Sequence, residues 1–182
     1  MKKIVLVSIA LLALTSAFAQ AEVILVWADA GFTTCNYDNP VALATVYVTH
    51  ENVVGTTASQ YSLTENSGTL TWIADVNQFT LSLGTSQTGY AVSYGGCLSG
   101  PIHVQNVLYS VAGTPAPCTG ITVEPDPNAL TGEIEGVDCG TPRVKTFPNA
   151  SFMSFNTDGS CVCGEIVPVE ETSWGKLKAL YE

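Results

Sequence analysis

In the stretch IHVQNVLYSV, residues 102–111, Ile102, Val104 and Leu108 fall on one parity, and His103, Gln105, Val107, Tyr109 and Val111 on the other. Successive side chains of an extended chain point to opposite faces, so this period of two reads as a strand with a face toward a core. The alternation recurs outward in both directions. Phe79, Leu81 and Leu83 alternate with Gln78, Thr80 and Ser82, and Tyr90, Val92 and Tyr94 with Ala91, Ser93 and Gly95. Further strands are expected at residues 23–28, 41–50, 57–63, 69–74, 121–124, 143–147, 151–155 and 161–167. Turn signals separate them: DNP from Asp38, ENSG from Glu65, GTSQTG from Gly84, GGCLSGP from Gly95, EPDPNA from Glu124 and NTDG from Asn156. Strands spaced about ten residues apart predict an all-β chain, an antiparallel β-sandwich of immunoglobulin-like or jelly-roll-like layout. A disulfide-tied C-terminal part and a short terminal helix complete the expected architecture.

The first residues, MKKIVLVSIALLALTSAFAQAE, place Lys2 and Lys3 before an apolar run and then Ala17 and Ala19, the pattern of an export signal over residues 1–19. Its apolar run is too short to span a bilayer. Residues 20–123 are expected to form the main sandwich, 124–169 a disulfide-stapled β extension and 170–182 a recognition or docking tail. Loss of Lys2 and Lys3 would take the formal charge from −10 to −12. A chain so poor in Lys and Arg has no means of replacing the counterions of nucleic acid or anionic lipid, so both classes of partner are excluded.

Six cysteines, Cys35, Cys97, Cys118, Cys139, Cys161 and Cys163, lie beyond the signal, and an even count in an exported chain reads as disulfides. Closure of loops of about twenty residues, each worth on the order of 3 kcal/mol, favours Cys97 with Cys118 and Cys139 with Cys161 or Cys163, leaving Cys35 the remaining partner. The spacing of Cys161 and Cys163 suits two separate disulfides better than a zinc site. The loops carrying Asp126 and Asn156 read as turns and not as calcium ligands. No cofactor is implied. His50 and His103 sit on strands with no motif linking either to a nucleophile or carboxylate, so a catalytic role is not expected. Trp72, Tyr90 and Tyr94 share parity with apolar neighbours and belong in the core; Tyr47, Tyr61 and Tyr109 keep more polar company and are candidates for an exposed sugar-stacking platform.

The chain closes on TSWGKLKALYE, in which Trp174, Leu177 and Tyr181 recur at helical spacing beside Lys176 and Lys178. Trp174, Lys176, Leu177, Lys178 and Tyr181 are therefore the candidate partner-binding residues. This ending resembles that of uncharacterised secreted bacterial proteins finishing in a Trp-Gly-x-aliphatic-Lys-x-Leu-Tyr segment, which implies a shared terminal role in export, attachment or retention at the envelope. The body, from TVYVTHENVVGTTASQYSL through TLTWIADV to YGGCLSGPIHVQNVLYSVAG, is similar in layout to cohesin-like and immunoglobulin-like bacterial sandwiches, with Ala58, Gln60 and Tyr61 in the early strand pair. The resemblance implies a secreted, non-catalytic binding or structural module with a protein or glycan partner at the cell envelope or in the extracellular space. The alternative is a carbohydrate-binding or degradative accessory protein.

Overall fold

The computed structural model describes residues 21–38, 42–140, 143–148, 151–158, 161 and 163. The export signal, the terminal helix and the tail with Trp174, Lys176, Leu177, Lys178 and Tyr181 lie outside the described residues. Ten strands are described: β1 (Val23–Trp27), β2 (Asn36–Tyr37), β3 (Leu43–Glu65), β4 (Leu70–Asn77), β5 (Leu81–Thr85), β6 (Gly89–Val111), β7 (Thr119–Glu124), β8 (Ile134–Asp138), β9 (Val144–Phe147) and β10 (Phe152–Phe155). No helix occurs among the described residues, and none there is long and apolar enough to cross a membrane.

All ten strands join one hydrogen-bonded network, ordered β2-β10-β7-β3-β6-β4, with β1 and β8 also on β3, β9 on β8, and β5 on β6. Pairing is antiparallel except between β10 and β2, which run parallel, so the network is mixed and not purely antiparallel.

β3 and β6 are each 23 residues long and pair with one another from Leu43 opposite Ser110 to Tyr61 opposite Tyr90. Four shifts of register between Val48 and Ala58 interrupt that ladder. Here the sequence reading needs correction: 41–50 and 57–63 are one strand, and GGCLSGP runs within β6 and does not end it. Asn52, Gly55, Gly95 and Gly100 all have positive φ, which lets the chain bulge and bend without reversing. One shift explains the parity of the opening stretch. Val48 faces Gln105 and Thr49 faces His103, so Val104 is the extra residue, and Val104 and Gln105 are both fully buried in succession. Leu108, beyond the slip, is only half-buried, on the outer side with Ser110.

The core gathers Ile24, Val26, Val46, Val48, Leu63, Val92, Val107, Ile121, Val123, Ile134, Met153 and Phe155 around three tyrosines. Tyr61, Tyr90 and Tyr109 are wholly buried, so Tyr61 and Tyr109 form no exposed platform. Burial raises the pKa of all three phenols, that of Tyr90 to about 12. Tyr109 meets its polar company inside, where Gln87 reaches its hydroxyl at 3.4 Å, and Tyr90, expected in the core, donates to Asn77 at 2.9 Å.

All six cysteines are paired, but as Cys35 with Cys163, Cys97 with Cys139, and Cys118 with Cys161. The expected short loops are wrong because spatial neighbours decide. Cys139 N–H donates to the Gly55 carbonyl at 2.8 Å, and Gly55 lies against the sulfurs of both Cys97 and Cys139. Cys161 and Cys163 do enter separate bridges. The bonds span 128, 42 and 43 residues, so each constrains the unfolded chain more than a loop of about twenty residues would. Non-reducing peptide mapping is expected to recover these three linkages, and a Cys97–Cys118 peptide would contradict them.

Candidate functional site

β9, β8, β3, β6 and β5 lie side by side, and their register aligns two rows of side chains on one face. One row runs Val144, Val137, Ala58, Ser93, Leu81; the other runs Thr146, Glu135, Gln60, Ala91, Leu83. Residues directly opposite share a face. Small side chains (Ala58, Ala91, Ser93) therefore make a low floor, while Leu81 and Leu83 on one side and Val137 and Val144 on the other make walls. Leu130 closes one end. The trough so formed holds about 360 Å³. Leu81 is 65%, Leu83 72% and Leu130 87% exposed, so the trough presents apolar walls to solvent.

Period two groups Leu81 and Leu83 on one apolar face with Phe79, and the hairpin shows why the two leucines nonetheless face outward. Thr85 pairs with Gly89, which sets Leu83 opposite Ala91 and Leu81 opposite Ser93, whereas the inward residues of β6 are Tyr90, Val92 and Tyr94. The turn depends on Gly84, whose φ is +75° and where a Cβ would come within 2.0 Å of the Gly89 carbonyl oxygen. Counting three residues, 86–88, between the two pairing positions would have found this face from the sequence.

A buried polar chain holds the β8–β9 side. His50, with no exposed surface, shares a 2.8 Å hydrogen bond from Nδ1 with the Tyr94 hydroxyl, which donates to Ser59 at 2.7 Å. Its Nε2 is 3.4 Å from Glu22 Oε2 but off the direction of a hydrogen bond. Glu22 also accepts from Lys145 Nζ at 2.6 Å, Val54 N–H at 2.9 Å and Thr56 Oγ1 at 3.0 Å. Lys145 lies between Val144 and Thr146, so its bonds to Glu22 and to the Val54 carbonyl tie the outermost strand of the trough to the body. On the far end, Glu135 accepts from Thr131 N–H at 2.6 Å and Asp126 lies against Gly89, which stretches the 125–133 loop across the end of the floor.

Chemically the trough offers apolar walls that can take an apolar ridge. Its polar lining is Ser59, Gln60, Ser82, Ser93 and Glu135, with neither histidine among them. His103 instead bonds Asn106 at 2.7 Å. Cys118, Asp158 and Cys161 come together within 4.8 Å, yet both sulfurs are spent in a disulfide and offer no thiolate. Asp126 accepts from the Asn128 backbone and side chain, as a turn residue does.

The described fold is similar to that of a cohesin module from a family 33 glycoside hydrolase of Clostridium perfringens, at a TM-score of 0.53 and 6% identity over 76% of this chain and 98% of that one. The sixth cohesin of scaffoldin B from Acetivibrio cellulolyticus, solved with a dockerin, gives a TM-score of 0.49 and 15% identity over 76% of this chain and 99% of that one. A non-cellulosomal cohesin from the archaeon Archaeoglobus fulgidus gives 0.45 and 16% over 69% and 83%. At these identities the likeness is one of fold. No protein-family model and no curated protein matches the chain.

Burial pushes the His50 imidazole down to about 4 from its ordinary 6.5, with Glu22 opposing and Lys145 reinforcing the change. Between those values the unfolded chain takes up a proton that the folded chain refuses, so stability is complete above pH 6.5 and falls as pH drops toward 4. The full shift corresponds to roughly 3 kcal/mol. Urea midpoints measured from pH 7.5 to 4.5 should fall in wild type and fall less steeply in His50→Asn; an equal slope in both would contradict the assignment.

Proposed function

We propose that this chain is an exported, non-catalytic protein-binding module whose partner docks on the open face of β9-β8-β3-β6-β5. The observation that carries the reading is that trough, with a floor of alanine and serine and with leucine and valine walls. The fold likeness to a cohesin module supports it, and we read the strand network as a two-layered sandwich around the tyrosine-rich core. The partner is a protein offering an apolar ridge, flanked by basic residues that suit a body of formal charge −10. Three disulfides among the described residues support export to an oxidising space, with residues 1–19 as the leader. Beyond it, residues 20–123, 124–169 and 170–182 serve as main unit, stapled extension and recognition tail, the last acting through Trp174, Lys176, Leu177, Lys178 and Tyr181.

Carbohydrate binding is the second reading, and one observation favours it. Phe32, at φ +54°, stands 5.2 Å from the His103 ring and 6.4 Å from Tyr47 on the outer side of β3 and β6, all three half-buried. A bulky residue at positive φ is strained and is held there by the loop, in which Asp29 accepts from the backbone of Gly31, Thr33 and Thr34.

The test is capture from envelope and extracellular fractions, with glycan arrays run in parallel. Ala58→Arg, which fills the floor without entering the core, should keep the thermal midpoint and weaken capture of the partner by about tenfold or more. Glycan binding lost in Phe32→Ala but unchanged in Ala58→Arg would establish the second reading instead. Deletion of residues 172–182 should leave capture intact while abolishing envelope association; unchanged association would remove the tail's recognition role.

A further inference from the structure

Five strands among the described residues border the network: β1, β2, β4, β5 and β9. An open edge offers unpaired N–H and C=O groups to any other strand, and proteins guard such edges with charge, proline, bulges, brevity or a segment that covers and bonds them. Four of the five are guarded. β1 has Val26 N–H bonded to Ser151 Oγ. β2 has only two residues. β4 carries a bulge between Trp72 and Ala74, and Asp75 besides. β9 has Lys145 at its centre, held to Glu22.

β5 has none of these guards. Its sequence is LSLGT, without charge, proline or bulge, and it pairs with β6 alone. Leu81 and Leu83 project from the same face at 65% and 72% exposure. The whole stretch of residues 76–123 contains no Asp, Glu, Lys or Arg, although the chain as a whole carries a formal charge of −10. Two copies of so acidic a protein repel one another over most of their surface, and this stretch is where two backbones can approach without that penalty.

We propose that β5 is a self-association edge, at which a second copy of this chain adds its own β5 antiparallel across a two-fold axis. The occupant follows from the chemistry of the edge: unpaired peptide groups call for a strand, and an uncharged strand on an acidic body accommodates a copy of itself. Pairing centred on Ser82 sets Leu81 of one copy opposite Leu83 of the other, twice over, so the symmetric contact is self-complementary. The four leucines gather on one face, cover one another in part and still wall the two troughs. The sheet becomes continuous, β9-β8-β3-β6-β5 running into the same five strands of the second copy in reverse, and the two troughs open side by side. Because β5 has only five residues, the leucine contacts carry more of the affinity than the few backbone bonds, and the association is weak and reversible. A bivalent display of the trough would strengthen binding to a repeated partner without new contacts.

Sedimentation equilibrium on the disulfide-bonded mature protein, from about 1 μM to about 1 mM, is expected to show a monomer–dimer equilibrium. The equilibrium should tighten as salt screens the two acidic bodies. Leu83→Lys, at a mostly exposed position, should raise the dissociation constant at least about tenfold with circular dichroism unchanged, and Ala58→Arg should leave it unaltered. In wild type, hydrogen exchange at the amides of Leu81, Ser82 and Leu83 should slow with rising protein concentration while that of β9 stays constant. A monomer at every concentration overturns the proposal, as does a dimer whose concentration-dependent protection lies outside β5; the exchange measurement decides the matter even if Leu83→Lys fails to fold.

Discussion

The pairing of Leu43–Glu65 with Gly89–Val111 is the interaction on which the other elements depend. Fully extended strands of that length would outrun a domain of this size, since each residue rises about 3.3 Å. Bulges resolve the conflict. Asn52 and Gly55 on β3, with Gly95 and Gly100 on β6, supply the positive φ values that bend the ribbon while keeping it paired. Each end of the ribbon then takes its own neighbours: β1 and β4 flank one end, β8 and β5 the other, and the last residues of β3 pair with β7. Cys97–Cys139 fastens β6 to the end of β8 beside Gly55, where the ladder is most broken.

Strand identity was legible in the sequence because burial on one side imposes a period of two, and Tyr90, Val92 and Tyr94 face inward as that rule requires. Strand continuity was not. Gly95, Gly96 and Gly100 carry the same composition whether they reverse a chain or bulge it, and only the opposite strand distinguishes the cases. Disulfide pairing failed for a related reason: the loop-entropy argument ranks partners by separation along the chain, while Cys97 meets Cys139 through a β3 bulge that no local pattern announces. Leu81 and Leu83 show the third limit. Period two gives two faces but does not say which is inside, and here the hairpin register, fixed by Gly84 and Gly89, assigned the leucines to the outer one. Ala58 and Gln60, singled out within the layout resemblance, lie on that same open face, with Tyr61 beneath in the core.

The trough follows from this arrangement of constraints. Interior tyrosines fill β6 from below, so its outward positions are free to be small, and the flanking strands supply height. Ser59, Tyr94 and His50 form one buried hydrogen-bonded run, and Lys145 separately bonds Glu22 and the Val54 carbonyl, which ties the far wall to the body.

The most direct test of a docking face is where a bound partner touches it. With leucine and valine methyl groups labelled, titration of the captured protein should shift Leu81, Leu83, Leu130, Val137 and Val144 while leaving interior Val46 and Val107 in place. Shifts centred instead on Leu25 and Val76, beside Trp27, Phe32 and Tyr47, would contradict the account and move the binding surface to the opposite end of the β3–β6 ribbon.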